Sequence, residues 1–206
     1  MKIPLFPLDL VLLPGAPLQL HIFEERYKEM IAECLHGEHE FGIVRARRDG
    51  LAIVGCTAAI LTVLRRYADG RMDILCRGQH RFEIESLHDG RNDGRSFFQA
   101  EVDFLRDNGP ASTRQQREQC VALHMEMIEL SGGDLREFPQ LDLDRPVAFL
   151  LASTIPADIE FKQELLQIPS EGKRTQCLIE FYEAILPKLR RGSMCAMAAA
   201  HNGHVM

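Results

Sequence analysis

Residues 3–23 read Ile-Pro-Leu-Phe-Pro-Leu-Asp-Leu-Val-Leu-Leu-Pro-Gly-Ala-Pro-Leu-Gln-Leu-His-Ile-Phe, and the four prolines decide what this segment can be. Pro4, Pro7, Pro14 and Pro17 each lack a backbone N–H and clash with a preceding turn, so the segment is not a helix. Leu18, Leu20 and Ile22 alternate with Gln19 and His21, the period of a half-buried strand. Pro14-Gly15 is a turn signal between two extended pieces. A chain that opens this way opens in β structure.

Working outward, Glu24-Glu25 places negative charge where a helix would begin, at the positive end of its dipole. Tyr27, Met30, Ile31, Cys34 and Leu35 follow at i, i+3, i+4, i+7 and i+8, one apolar face of a short helix that Gly37 should stop. Strand character returns at Phe41–Arg45 and again at Leu51–Leu64, where Ile53, Val54, Thr57, Ile60, Thr62 and Val63 are β-branched. That second run is long for one flat strand, and Gly55 is a candidate bend or bulge. Asp69-Gly70 predicts a two-residue hairpin turn. Its register would set Leu64 across from Leu75 and Arg66 across from Asp73. Further strands are expected at Met72–Cys76, Arg81–Leu87 and Phe97–Leu105.

After Asn108-Gly-Pro110 the periodicity becomes helical. Ser112 or Thr113 can cap a helix reaching Leu130, with Gly132-Gly133 as its stop. Helices are also predicted over 145–153, 157–166 and 171–189; the last carries Cys177, Leu178, Phe181, Tyr182, Ile185, Leu186 and Leu189 on helical spacing. The order is strands, then helices: an α+β class, not alternating βαβ. The expected division is a β-rich part over 1–108, a helical part over 109–191 and a frayed tail over 192–206.

Composition narrows the function classes. The 206 residues are 46% apolar and 26% charged, with 24 basic and 30 acidic side chains and a net charge of −6. That is a globular mix, too polar for a polytopic membrane protein and too apolar for a disordered one. Residues 1–105 hold 13 basic and 16 acidic residues, so each half carries −3 and no segment reads as a nucleic-acid arm. Pro4, Pro7 and Asp9 interrupt any signal-peptide core, and the expected compartment is the cytoplasm. Six cysteines stand singly, with no CxxC pair, and are expected to be reduced and buried.

A search for chemistry yields little. Gly172-Lys173 is followed by Arg174, and Gln167 stands where a P-loop has its first glycine. Neither GxGxxG nor GxSxG occurs. The His36-Gly-Glu-His39-Glu40 cluster straddles a helix end, which does not align ligands as HExxH on one helix would. It reads as a solvated loop, as do His201 and His204 in the tail. His21 lies in a strand next to Glu24, where a local hydrogen bond explains it as well as catalysis would. No catalytic, cofactor-binding or metal-binding residues are assigned, no cofactor is implied, and the chain is expected not to be an enzyme. Arg45, Arg47, Arg48, Arg65, Arg66, Arg71, Arg77 and Arg81 concentrate in the β half. They read as exposed strand positions balanced by Asp49, Asp69, Asp73, Glu83 and Glu85, without the interleaved aromatic platform that RNA recognition uses.

One resemblance bears on all of this. Pro4-Leu-Phe-Pro-Leu, Leu12-Leu-Pro-Gly15, Leu18-Gln-Leu-His-Ile-Phe-Glu24 and Arg26-Tyr27 resemble the N-terminal substrate-binding domain of the Lon ATP-dependent proteases. Phe41-Gly-Ile-Val44, the run from Gly55-Cys56 to Asp69-Gly-Arg71, Gly78-Gln-His-Arg-Phe82, Lys162-Gln-Glu-Leu-Leu166 and Arg174 continue it over about residues 1–190. The resemblance implies a PUA-like curved β subdomain, or pseudo-barrel, with one packed helix, followed by a helical bundle. It also implies a freestanding domain without the ATPase and peptidase modules, binding polypeptides or unfolded proteins. Neither nucleic acid nor membrane is expected as a partner. The alternative is an RNA-binding PUA-like protein.

Overall fold

The computed structural model describes residues 1–37, 40–90, 94–134 and 141–202, with side chains described through residue 192. Among the described residues seven strands and five helices follow in order: β1 (Lys2–Leu8), β2 (Pro17–Ile22), α1 (Glu25–His36), β3 (Glu40–Arg47), β4 (Gly50–Leu51), β5 (Val54–Arg66), β6 (Met72–Asp89), β7 (Phe98–Phe104), α2 (Arg114–Leu130), α3 (Ala148–Thr154), α4 (Ile159–Gln167) and α5 (Glu171–Asn202). The class is α+β. Two compact units share the chain: residues 1–107 with 152–169, and residues 108–151 with 170–206.

In the first unit β1 holds Pro4 and Pro7, and its pairing shows how a strand tolerates them. Residues 2–4 pair antiparallel with β7, while residues 5–8 pair in parallel with β3. Each proline therefore has a ladder on one side only, as a residue without an N–H requires. This change of partner has a topological consequence. The order β1-β7-β6-β5-β3 returns to β1, with β4 and β2 attached to β3 and β6. Ile3, Leu5, Val44, Phe82, Ala100 and Val102 are buried together among these strands.

Helix α1 buries Tyr27, Met30, Ile31 and Cys34, as its spacing predicts, and Leu35 is half-buried at the margin. The Tyr27 ring stacks on Phe6 of β1 at 3.9 Å between centroids, and Cys34 Sγ donates to the Glu40 carbonyl at 3.4 Å.

Strand β6 is continuous where two strands were expected, and Gly78 lies between them. The Gly78 N–H donates to the Ala16 carbonyl at 2.9 Å and its carbonyl accepts from Gly15 N–H at 2.8 Å. A Cβ at this position would lie 2.2 Å from the Leu13 carbonyl oxygen. Gly78 is the place where the 13–16 segment crosses the strand in contact with its backbone. Just beyond it β6 carries an extra residue, and the His80 N–H is satisfied by buried Thr57 Oγ1 at 3.1 Å.

The β5–β6 hairpin departs from the expected register by one residue. Tyr67 N–H donates to the Arg71 carbonyl and Gly70 N–H to the Tyr67 carbonyl, with Gly70 at φ +83°. This is a three-residue loop closed by a glycine bulge, not a two-residue turn. Arg65 consequently faces Asp73 and Arg66 faces Met72. Gly55 sits in register opposite Phe82, and the irregularities of β5 fall further along.

In the second unit α2 begins with a capping box. Gln116 N–H donates to Thr113 Oγ1, and Thr113 N–H to Gln116 Oε1. It ends at Leu130, with Gly132 at φ +76° and Gly133 N–H returning to the Ile128 carbonyl. Its buried residues Cys120, His124 and Met127 lie on one face. His124 Nδ1 is 2.8 Å from the Tyr182 hydroxyl of α5. Glu171, 4% exposed, accepts from the backbone N–H groups of Val147 and Ala148 with Oε1 and from Arg174 with Oε2. One carboxylate thus caps α3 and neutralises a guanidinium that lies over the Phe149 ring. Helix α5 continues through Pro187 to Asn202, past the expected end at Leu189.

Two stability measurements test this packing. Met30→Ala should cost roughly 2–5 kcal/mol, read from the urea midpoint, because Met30 is fully buried. Burial also pushes the His124 imidazole down from 6.5 to about 4. Between those values the unfolded chain binds a proton that the folded chain refuses. The stability of this unit should be full above pH 6.5 and should fall towards pH 4, by at most about 1.4 kcal/mol per pH unit. His124→Gln should flatten that dependence.

Candidate functional site

Beyond Ala59, β5 leaves β3 and runs on beside β6 alone, while β2 covers the other side of β6. The result is a three-stranded extension, β2–β6–β5, with unpaired outer edges. One face carries Leu20, Ile22, Met72, Ile74 and Cys76, all buried. The alternate positions, Gln19, His21, Asp73, Leu75, Arg77, Thr62 and Arg65, form the opposite face, exposed or half-buried.

Within this extension β5 takes two extra residues relative to β6, between Ile60 and Thr62 and between Val63 and Arg65. They are Leu61 and Leu64, 46% and 50% exposed. A bulge bends the strand and blunts its edge against pairing with another strand. It also takes the side chain at that place out of regular alternation. Both leucines belong to the run Leu51–Leu64 that reads as strand, and at the bulges they are left exposed.

At the end of the extension the polar groups are tied together. His21 Nδ1 lies 2.5 Å from Asp73 Oδ1, and the Tyr67 hydroxyl donates to Asp73 Oδ2 at 2.9 Å. The hydrogen bond to His21, then that to Tyr67, holds the Asp73 carboxyl below its ordinary range. His21 is thus partnered across the sheet, not by Glu24, which pairs with Arg26 at 2.7 Å. The guanidiniums of Arg65 and Arg71 lie 4.6 and 5.1 Å from the Tyr67 ring centre. Phe23, 58% exposed, stacks on His21 at 6.0 Å.

The eight arginines do not form one face. Arg65, Arg66, Arg71 and Arg77 are exposed on the extension. Arg45, Arg47 and Arg48 line a cleft of about 590 Å³ with Asp9, Asp49 and Glu160. Arg45 Nη2 is 2.7 Å from Glu160 of α4, with its side chain 10% exposed. Three cations meet three anions there, so the cleft favours neither sign of ligand. Arg81 is 4% exposed: it donates to the Leu166 and Ile168 carbonyls at 2.8 and 3.1 Å and pairs with Asp107 at 2.7 Å. The expectation that all eight are exposed strand positions fails at Arg45 and Arg81, because both hold α4 and the segment after it. An aromatic ring does stand among the arginines, but Tyr67 is covered by its own neighbours.

His36 bonds within its helix to the Ala32 carbonyl at 2.7 Å, while Glu38, His39 and His204 lie outside the described residues. Among the described residues no group of three His, Cys, Asp or Glu side chains could hold a metal ion. Cys34, Cys56, Cys76, Cys120 and Cys177 are free thiols, and the Cys195 side chain lies outside the description. No helix among the described residues is long and apolar enough to cross a membrane.

The family model for the ATP-dependent protease La (LON) substrate-binding domain matches residues 2–183, and the chain belongs to that family. Two solved structures are similar in fold. A Lon N-terminal domain protein from Xanthomonas campestris is 24% identical, with a TM-score of 0.69 over 87% of this chain and 98% of that one. The N-terminal domain of the Mycobacterium avium complex Lon protease is 18% identical, with a TM-score of 0.67 over 89% of this chain and 98% of that one.

Arg81 separates a structural arginine from a surface one. Arg81→Met should cost about 2–3 kcal/mol in urea unfolding, since it takes the buried donor away from the Leu166 and Ile168 carbonyls. Arg77→Ala, on the exposed face, should stay within about 0.5 kcal/mol of the parent protein.

Proposed function

We propose that this chain is a polypeptide-binding module with no turnover of its own, and that it takes segments of other proteins on the β2–β6–β5 extension. The observation that carries the proposal is the pair of bulged leucines on a free strand edge, in a chain whose family is defined by substrate binding. Exposed apolar side chains grouped on one element mark interaction surfaces. Leu61 and Leu64 offer apolar contact, while Arg65, Arg66 and Arg77 beside them offer charge-assisted hydrogen bonds. A surface that accepts varied chains gains little from any single pocket, so affinity should be roughly micromolar. The returning strand path supports a PUA-like curved subdomain as the carrier of this surface, and the capped helices of the second unit support a helical bundle.

The test is retention of urea-unfolded, fluorescently labelled casein by the immobilised protein, with Leu61→Ser/Leu64→Ser as the variant. Retention by the parent protein and a drop of roughly tenfold or more in the variant, at an unchanged thermal midpoint, is the expected result. Failure of the parent protein to retain any unfolded polypeptide would overturn the proposal. Salt-dependent binding of RNA in its place would transfer the case to RNA recognition.

A further inference from the structure

Lys162 lies on α4, in a stretch whose other residues have structural work. Gln163 Nε2 donates to the Val54 carbonyl at 3.0 Å, and Leu165 and Leu166 are buried. Lys162 does none of this. It is half-buried, and its ammonium has no ion-pair or hydrogen-bond partner among the described residues. Burial alone pushes its amine below the ordinary lysine range, with no neighbouring carboxylate to restore it.

Lys162 borders a cavity of about 160 Å³ lined mainly by the segment that joins β1 to β2, with Ser153 of α3 also in its wall. Leu12 and Leu13, 4% and 1% exposed, belong to its lining, and Leu10, Val11 and Leu18 are half-buried around it. A cation left without a partner against mostly apolar walls is a costly arrangement, and a carboxylate brought to it repays the cost. The rest of the ligand has to be apolar. It also has to be small, since the cavity is well below the roughly 300 Å³ at which pockets enclose a whole drug-sized molecule.

We infer that this cavity binds a polypeptide C-terminus, with the last side chain among the leucines and the terminal carboxylate on Lys162. The shared chemistry is an apolar carboxylate, and a chain end supplies it in compact form. Its terminal residue carries the carboxylate and the apolar side chain on one Cα. An internal Asp or Glu has its carboxylate in place of the apolar group, and a fatty acid needs a longer channel than this cavity provides. The inference rests on the polypeptide-binding reading and adds to it a second, end-specific contact away from Leu61 and Leu64.

Fluorescence anisotropy with a labelled hexapeptide ending in leucine, as free acid and as C-terminal amide, tests it. The free acid should bind roughly tenfold or more tighter than the amide, the range of a charged hydrogen bond. Lys162→Met should erase the preference, and Lys162→Arg should retain part of it. Equal binding of acid and amide, or a preference that survives Lys162→Met, would overturn the inference. So would octanoate binding tighter than the peptide acid, because the ligand would then be a free fatty acid. Casein retention separates the two proposals, since internal segments of casein far outnumber its chain ends. A lost acid preference with casein still retained removes only the C-terminal site.

Discussion

The first unit depends on one buried guanidinium. Arg81 stands on β6, yet its bonds go to Asp107 at the end of the β region and to the carbonyls of Leu166 and Ile168 at the end of α4. Those groups come from two stretches of chain more than forty residues apart. A guanidinium presents several donors in a fixed fork, so three acceptors can converge on it. Leaving the two carbonyls unmet at this buried place is expensive. This is why residues 152–169 belong to the sheet unit although their sequence grammar is helical. Gln163 on the Val54 carbonyl and Glu160 on Arg45 tie the same helix to the same sheet.

The same sheet accounts for the exposed apolar surface. Gly78 lets the 13–16 segment cross β6 at backbone contact, and β3 begins at Glu40, opposite Ala59, so past Ala59 β5 has a partner on one side only. Past this point the strand keeps its apolar composition with only one neighbour. Two bulges twist it, which protects the edge from strand addition and leaves Leu61 and Leu64 in water. The feature that guards against uncontrolled pairing also displays the apolar side chains, and recognition by side-chain contact is what remains open to such an edge.

Much of the local structure was legible because its signals are local. The apolar stripe from Tyr27 to Leu35, the Thr113–Gln116 cap and the Gly132 stop each depend on residues within a few positions of one another. The hairpin was half legible: Asp69-Gly70 marks the turn, but positive φ at Gly70 serves both a two-residue turn and a bulged three-residue loop. The choice between them shifts every pair by one. What the sequence could not reveal is long-range. Arg81 has the composition and spacing of a surface strand residue, and only partners 26, 85 and 87 positions away make it a core residue. Lys162 shows the converse, a helix-surface lysine by pattern that a distant apolar segment half encloses.

The buried titratable groups point in one direction. Desolvation pushes the thiols of Cys34, Cys56, Cys76 and Cys120 up to about 12 and the His124 imidazole down to about 4. Nucleophilic and general-base chemistry need the opposite: a thiolate favoured near neutrality, or an imidazole poised to exchange a proton there. Environments that hold each group in its neutral form serve packing. This supports the proposed reading, in which the protein works through its surface: the bulged leucines, the flanking arginines and the Lys162 ammonium, which has no partner among the described residues.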